Sequence, residues 1–230
     1  MWTLTTSIYD DDVTTVNIDY SRPVTARSQP YHHGNLRPAL VEAAAELART
    51  SGPDGVVLRE VARRTGVSHN AAYRHFADRD ELLAEVAELA MGQLEQAMRV
   101  RLATVRTRAP ELRARRRLRE TGRAYVQFAL AEPGLFEVAF AQEWPADETG
   151  APDFSHQESG PYALLNQVLD ELVAAGGLPA SRRAGADVAC WAAVHGFSKL
   201  VLHGPLRHLA PDQRDAALDA TLDIVSRGLT

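Results

Sequence analysis

Between Gly66 and His75 the chain sets Ser68, His69, Asn70, Tyr73, Arg74 and His75 within one short stretch, GVSHNAAYRH. Each of these side chains donates a hydrogen bond or can carry positive charge, a set that suits an anionic partner. Catalytic and metal-binding chemistry find less support. Of the eight histidines, His32 and His33 are adjacent near the N-terminus, and His69 and His75 differ by six positions, off one helical face. His203 and His208 flank Gly204-Pro205 with no neighbouring set of cysteines or carboxylates. No P-loop, glycine-rich dinucleotide turn or nucleophile elbow occurs. The expectation is no catalytic residue, no metal and no cofactor.

The elements around the donor cluster are all helical in pattern. Residues 1–30 lack helical periodicity and are rich in Thr, Ser, Asp and Pro, which predicts a disordered or loosely attached arm. Asn35 is a good N-cap, and Leu36, Leu40, Val41, Ala44, Leu47 and Ala48 follow at helical spacing until Ser51-Gly52-Pro53. Leu58, Val61 and Ala62 mark a second short helix that Gly66 ends, and Ser68 caps a third that lasts to about His75. This is helix, tight turn, helix, a unit that presents its second helix outward. Phe76 anchors the chain in the core. A long helix then starts at Asp78 or Asp80 and ends by Pro110, spanning about 28 residues or 42 Å.

Helices near 111–131, 135–140, 161–175, 181–203 and 211–228 complete an all-α fold of about nine helices, with a Pro/Gly/acidic loop at 144–160. The implied domains are the arm (1–30), a three-helix unit (31–80) and a larger helical domain (81–230). In the last helix Leu218, Leu222, Val225 and Leu229 repeat at spacings of four, three and four, a candidate dimer seam. Val194, Phe197 and Val201 form a companion stripe on a helix that is apolar nearly all round.

Composition sets the frame. With 45% apolar and 24% charged residues the chain can bury a real core. Cys190 is the single cysteine, so no intrachain disulfide is possible. No apolar run reaches the roughly 20 residues of a membrane span, and the start lacks a secretion pattern, so a cytoplasmic protein without membrane contact is expected. The net charge of −5 is unevenly spread. Residues 31–79 carry seven arginines against five acids, about +2, while residues 1–30 sum to about −2 and the remainder to about −5. The positive segment is the one that holds the donor cluster.

LREVARRTGVSHNAAYRHFADRDELL resembles the DNA-binding signature of the TetR/AcrR family of bacterial transcriptional regulators, and YHHGNLRPALVEAAAEL resembles the first helix of one subgroup. CWAAVHGF is similar to the Trp-His-Gly pattern that names that subgroup's C-terminal regulatory domain. The chain departs from the family at Val57, His69 and Ala71, where a hydroxyl, a lysine and a hydroxyl are common, and at Arg79, where lysine is usual.

The resemblance implies a ligand-responsive regulator, most often a repressor, that binds a palindrome in double-stranded DNA as a homodimer and is released by a small-molecule effector. Ser68, His69, Asn70 and Ala71 are then the base-reading candidates. Tyr73, His75, Arg79 and the helix start at Asn35 are the phosphate candidates, and Arg74 reaches either. The effector pocket is expected among Tyr125, Phe128, Phe136, Trp144, Tyr162, Trp191 and His195. Rival readings are a helical protein-interaction module without DNA binding, which Val57 and Ala71 favour, and an enzyme.

Overall fold

The computed structural model describes residues 36–141 and 159–229, and among them every regular element is helical. The nine helices are α1 (Leu36–Ser51), α2 (Leu58–Arg64), α3 (His69–Tyr73), α4 (Arg79–Leu102), α5 (Pro110–Ala131), α6 (Pro133–Ala141), α7 (Pro161–Ala174), α8 (Ala186–Leu202) and α9 (Pro211–Gly228). All belong to one compact unit. Asn35, Trp144 and the expected arm at 1–30 lie outside the described residues. Proline opens α5, α6, α7 and α9, where its missing N–H removes a donor that would have no intrahelical partner.

The α2–α3 turn follows from Gly66, whose φ of 71° suits a residue without Cβ. Its amide bonds the Arg63 carbonyl at 3.3 Å and the Val67 amide bonds that of Ala62 at 3.0 Å, closing α2 in a Schellman motif. Ser68 caps α3 by accepting from the Ala71 amide at 3.2 Å. Asp78 caps α4 through the Glu81 amide at 2.8 Å, and Glu81 reaches back to the Ala77 amide at 2.7 Å. Phe76 is 1% exposed and seals the three-helix unit, as the sequence predicts.

α4 is shorter than the 28 residues expected. It stops at Leu102, because the Thr104 hydroxyl and amide both take the Arg101 carbonyl, at 2.7 and 3.0 Å. At its 24 residues the helix is about 36 Å long. It packs against α1 at one end and α5, α6 and α7 beyond. Its last turn is tied to α5 by the buried Arg101, which donates to Glu120 at 3.1 Å and Gln127 at 2.5 Å.

A second joint links α6 to α1. A Cβ on Gly134 would lie 1.9 Å from the Ala48 carbonyl oxygen, so only glycine allows the two helices to meet this closely. Beside it Arg49 donates to Glu132 at 3.0 Å and to Gln93 of α4 at 3.3 Å.

The arginine-rich face of α5 is largely a set of ion pairs. Arg117 meets Glu171 at 2.7 Å, Arg119 meets Asp219 at 3.1 Å and also Asp223, and Arg123 pairs with Asp219.

Candidate nucleic-acid interface

α3 stands out from the three-helix unit because Ala72 alone is buried; Ser68, His69, Asn70, Tyr73 and Arg74 are exposed, while Ala71 and His75 are partly covered. The His69 and Tyr73 rings meet edge to face with centroids 4.5 Å apart, one helical turn from each other. Short side chains at the N-terminal end leave the helix slim enough for a groove about 12 Å wide. Ser68 has its oxygen engaged as the cap and keeps its O–H as a donor.

The positive charge of this unit is less free than counting suggests. Glu60 bridges Arg63 at 2.6 Å and Arg64 at 3.0 Å, and these hydrogen bonds, Arg63's first, hold its carboxyl down to about 2. Arg37 and Arg49 are also in ion pairs. Arg79, expected to reach phosphate, turns its guanidinium onto the Val56 and Pro53 carbonyls at 2.8 and 2.6 Å. Arg59 and Arg74 are exposed and carry no ion pair among the described residues. Arg59 was not among the expected contact residues; it stands in the first turn of α2, two residues after Val57. That valine is 50% exposed and offers no side-chain cap to α2.

A second feature lies in the larger part of the chain. Helices α4 to α9 border a narrow, partly open cleft with a cavity volume of about 60 Å³. Its walls are Met91, Met98, Leu118, Tyr125, Phe140, Tyr162, Leu165, Cys190, Trp191, Val194, Leu222 and Val225, with Arg119, Thr121 and Ser226. Of the expected aromatics, Tyr125, Tyr162 and Trp191 line it. Phe128 and Phe136 do not, being fully buried core residues, and His195 stands behind the wall in a shallow groove with Phe140, Val188, Trp191 and Ala192. Met91 and Met98 were overlooked, although their spacing of seven puts both on one helical face.

Several polar groups of this cleft are already hydrogen-bonded. The Trp191 indole N–H donates to the Tyr125 hydroxyl at 3.2 Å, and that hydroxyl lies 2.8 Å from Nδ1 of His195. Burial pushes the Tyr125 phenol up, and burial first, then the Lys199 charge, pushes the His195 imidazole down. Tyr162 donates to Asp187; burial and that carboxylate raise its phenol to about 12. Burial raises the Cys190 thiol to about 11.

The chain itself covers most residues of the expected dimer stripes. Val194, Phe197, Val201, Leu218, Leu222 and Leu229 are buried within the chain itself, and Val194, Leu222 and the half-buried Val225 line the cleft. Helical spacing identifies an apolar face but not which neighbour covers it. The outward apolar residues are Val188 and Leu200 of α8 and Ile224 of α9. Among the described residues no helix is long and apolar enough to cross a membrane, and no three metal-ligating side chains cluster.

Comparison with known proteins agrees with this division. Residues 40–86 match the family model for bacterial regulatory proteins of the tetR family, and residues 118–225 match the tetracyclin repressor-like C-terminal domain. A solved structure of a Rhodococcus protein of unknown function is 31% identical, with a TM-score of 0.69 over 87% of this chain and 98% of that one. TetR from Acinetobacter baumannii shares the fold at 20% identity, with a TM-score of 0.56 over 82% and 93% of the two chains. An HTH-type transcriptional repressor of Mycobacterium tuberculosis is 32% identical over 69 residues, 30% of this chain. That match spans 37% of the relative's length.

Proposed function

The chain belongs to the TetR family of bacterial regulatory proteins, and from that premise we propose that it is a ligand-responsive, DNA-binding transcriptional regulator that acts as a repressor in the cytoplasm. The observation that carries the reading is the outward face of α3, where Ser68, His69, Asn70, Tyr73 and Arg74 are exposed together on a helix narrow enough for the major groove. Arg74 and Arg59 supply charge for phosphate, and Tyr73 and His75 supply further donors.

One such head makes few base contacts. A homodimer holding two heads about 34–36 Å apart reads successive major grooves of a palindrome. The cleft supports an effector that is uncharged and largely apolar or aromatic. Its one cationic wall residue, Arg119, is already matched by Asp219 and Asp223, and its buried hydroxyls already have partners. A charged ligand there would lose its water without a free counter-charge. To swing DNA occupancy from 99:1 to 1:99, the effector must favour the released state by about 5.5 kcal/mol.

Selection of duplexes from random DNA, followed by anisotropy titration at two salt concentrations, tests the proposal. A regulator enriches a palindrome and binds it with a steep salt dependence. A protein-interaction module enriches nothing and shows no slope, and that outcome would reject the reading.

A further inference from the structure

We propose that Arg37 and Arg79 are positioning residues that hold the recognition helix in its reading pose, and that neither is a phosphate ligand. The proposal rests on the DNA-binding reading above and concerns how that site is kept in register.

Arg37 projects from the first turn of α1 into the corner between α3 and α4. Its Nη2 lies 2.7 Å from Glu85 and 3.0 Å from Glu81, both on α4. Its Nη1 donates to the backbone carbonyl of His75, two residues past the end of α3, and its guanidinium carbon sits 4.3 Å from the centre of the Phe76 ring. One planar group therefore grips the exit of α3, the helix behind it and the aromatic anchor between them. Two carboxylates already answer its charge, so little is left to attract phosphate.

Arg79 makes the matching contact at the other side. From the first residue of α4 its Nε donates to the Val56 carbonyl at 2.8 Å and its Nη2 to the Pro53 carbonyl at 2.6 Å. Those carbonyls belong to the turn that leads into α2, and α2 packs on α3. Asp54 and Asp80 stand 3.9 and 3.7 Å away. A guanidinium fork meets two carbonyls at fixed angles, which the compact ammonium of lysine does not reproduce. Base readout depends on direction as well as distance, so a small change in the pose of α3 loses specific contacts while leaving general attraction to phosphate intact.

The test uses the full chain, a duplex that the wild type selects from random DNA, and a scrambled duplex of equal length. Arg37→Lys, Arg79→Lys and Arg79→Met are titrated across a salt series. All three are expected to weaken binding to the selected duplex by about tenfold or more, as a mismatched base pair does. The salt slope and the affinity for the scrambled duplex are expected to stay at wild-type values. The assignment is overturned if Arg79→Lys behaves as wild type while Arg79→Met lowers the slope by about 0.9 on both duplexes, the mark of one lost phosphate contact. Equal loss on both duplexes for the lysine variants overturns it as well, because that marks collapse of the three-helix unit and not a changed pose. A wild type that selects no sequence at all defeats the DNA-binding reading itself, a result visible before any variant is measured.

Discussion

The Tyr125 hydroxyl sits between two ring nitrogens, 3.2 Å from Nε1 of Trp191 and 2.8 Å from Nδ1 of His195. An indole N–H only donates, so the phenol oxygen accepts from Trp191 and keeps its own hydrogen for His195 where Nδ1 is unprotonated. Nδ1 accepts in the neutral imidazole that carries its proton on Nε2. Its lowered pKa agrees with that state. Tyr125→Phe leaves the His195 and Trp191 nitrogens without their partner and is expected to cost about 1–3 kcal/mol in denaturant unfolding. A variant as stable as wild type would show that the chain of bonds contributes nothing.

The same histidine predicts a pH dependence. Its folded pKa lies below the ordinary value of about 6.5, so between the two the unfolded chain binds a proton that the folded one does not. This contribution is complete above about 6.5 and is lost as pH falls through the window toward the folded pKa. Thermal melts from pH 7.5 downward should show the loss in wild type and a shallower decline in His195→Gln. Identical slopes would assign the acid sensitivity to other groups.

Gly134 and Glu132 offer a test of the joint between α6 and α1. The Cβ of Gly134→Ala would meet the Ala48 carbonyl oxygen at 1.9 Å and the Arg49 Cα at 3.2 Å, both backbone atoms that cannot rotate aside. The expected cost is about 1–3 kcal/mol, as for other overpacked sites. Glu132→Gln replaces the carboxylate that Arg49 holds at 3.0 Å and should cost about 1–2 kcal/mol. Because the two positions share one contact, the double variant is expected to depart from additivity by at least about 0.5 kcal/mol in equilibrium unfolding.

Much of this architecture was legible because local chemistry dictates it. Pro110, Pro133, Pro161 and Pro211 mark helix starts, Gly66 the turn, and Ser68 and Asp78 the caps, and none of these depends on distant partners. What could not be read were the pairings across long stretches of chain. Arg119 finds Asp223 104 residues away, and Arg37 finds the His75 carbonyl 38 residues away. The carbonyl partners of Arg79 were hidden for the same reason: a sequence records a charge but not which way its fork turns. The stripes on α8 and α9 were legible as apolar, and Val194, Phe197, Val201, Leu218 and Leu222 are covered by the chain itself.

Val57 permits a gain-of-function prediction. It occupies the N-cap of α2 without a side-chain hydrogen bond. Val57→Thr would supply a hydroxyl to an unpaired amide of the first turn and raise stability by about 0.5–1 kcal/mol. On the DNA-binding reading the same hydroxyl adds a phosphate contact. Affinity for selected and scrambled duplexes should then rise by a similar factor, since phosphate contacts carry no sequence information. Tighter binding to the selected duplex alone would contradict this placement.

If the proposed homodimer pairs through the outward apolar residues of α8 and α9, association separates from folding. Ile224 is 69% exposed and Leu200 44%, so a charge at either position meets water in the monomer and apolar surface only in a pair. Ile224→Glu with Leu200→Glu is therefore expected to leave the melting temperature of a dilute sample nearly unchanged while converting a sedimenting dimer to monomer. Leu222→Ala behaves in the opposite way. Its side chain is buried within the chain, beside Gly122 and against the cleft, so truncation should cost about 2–5 kcal/mol of stability with little change in the dimer dissociation constant. If Leu222→Ala abolished dimerisation and the glutamates did not, the seam would lie on the inward stripes after all, and the chain would have to reopen its own core to pair.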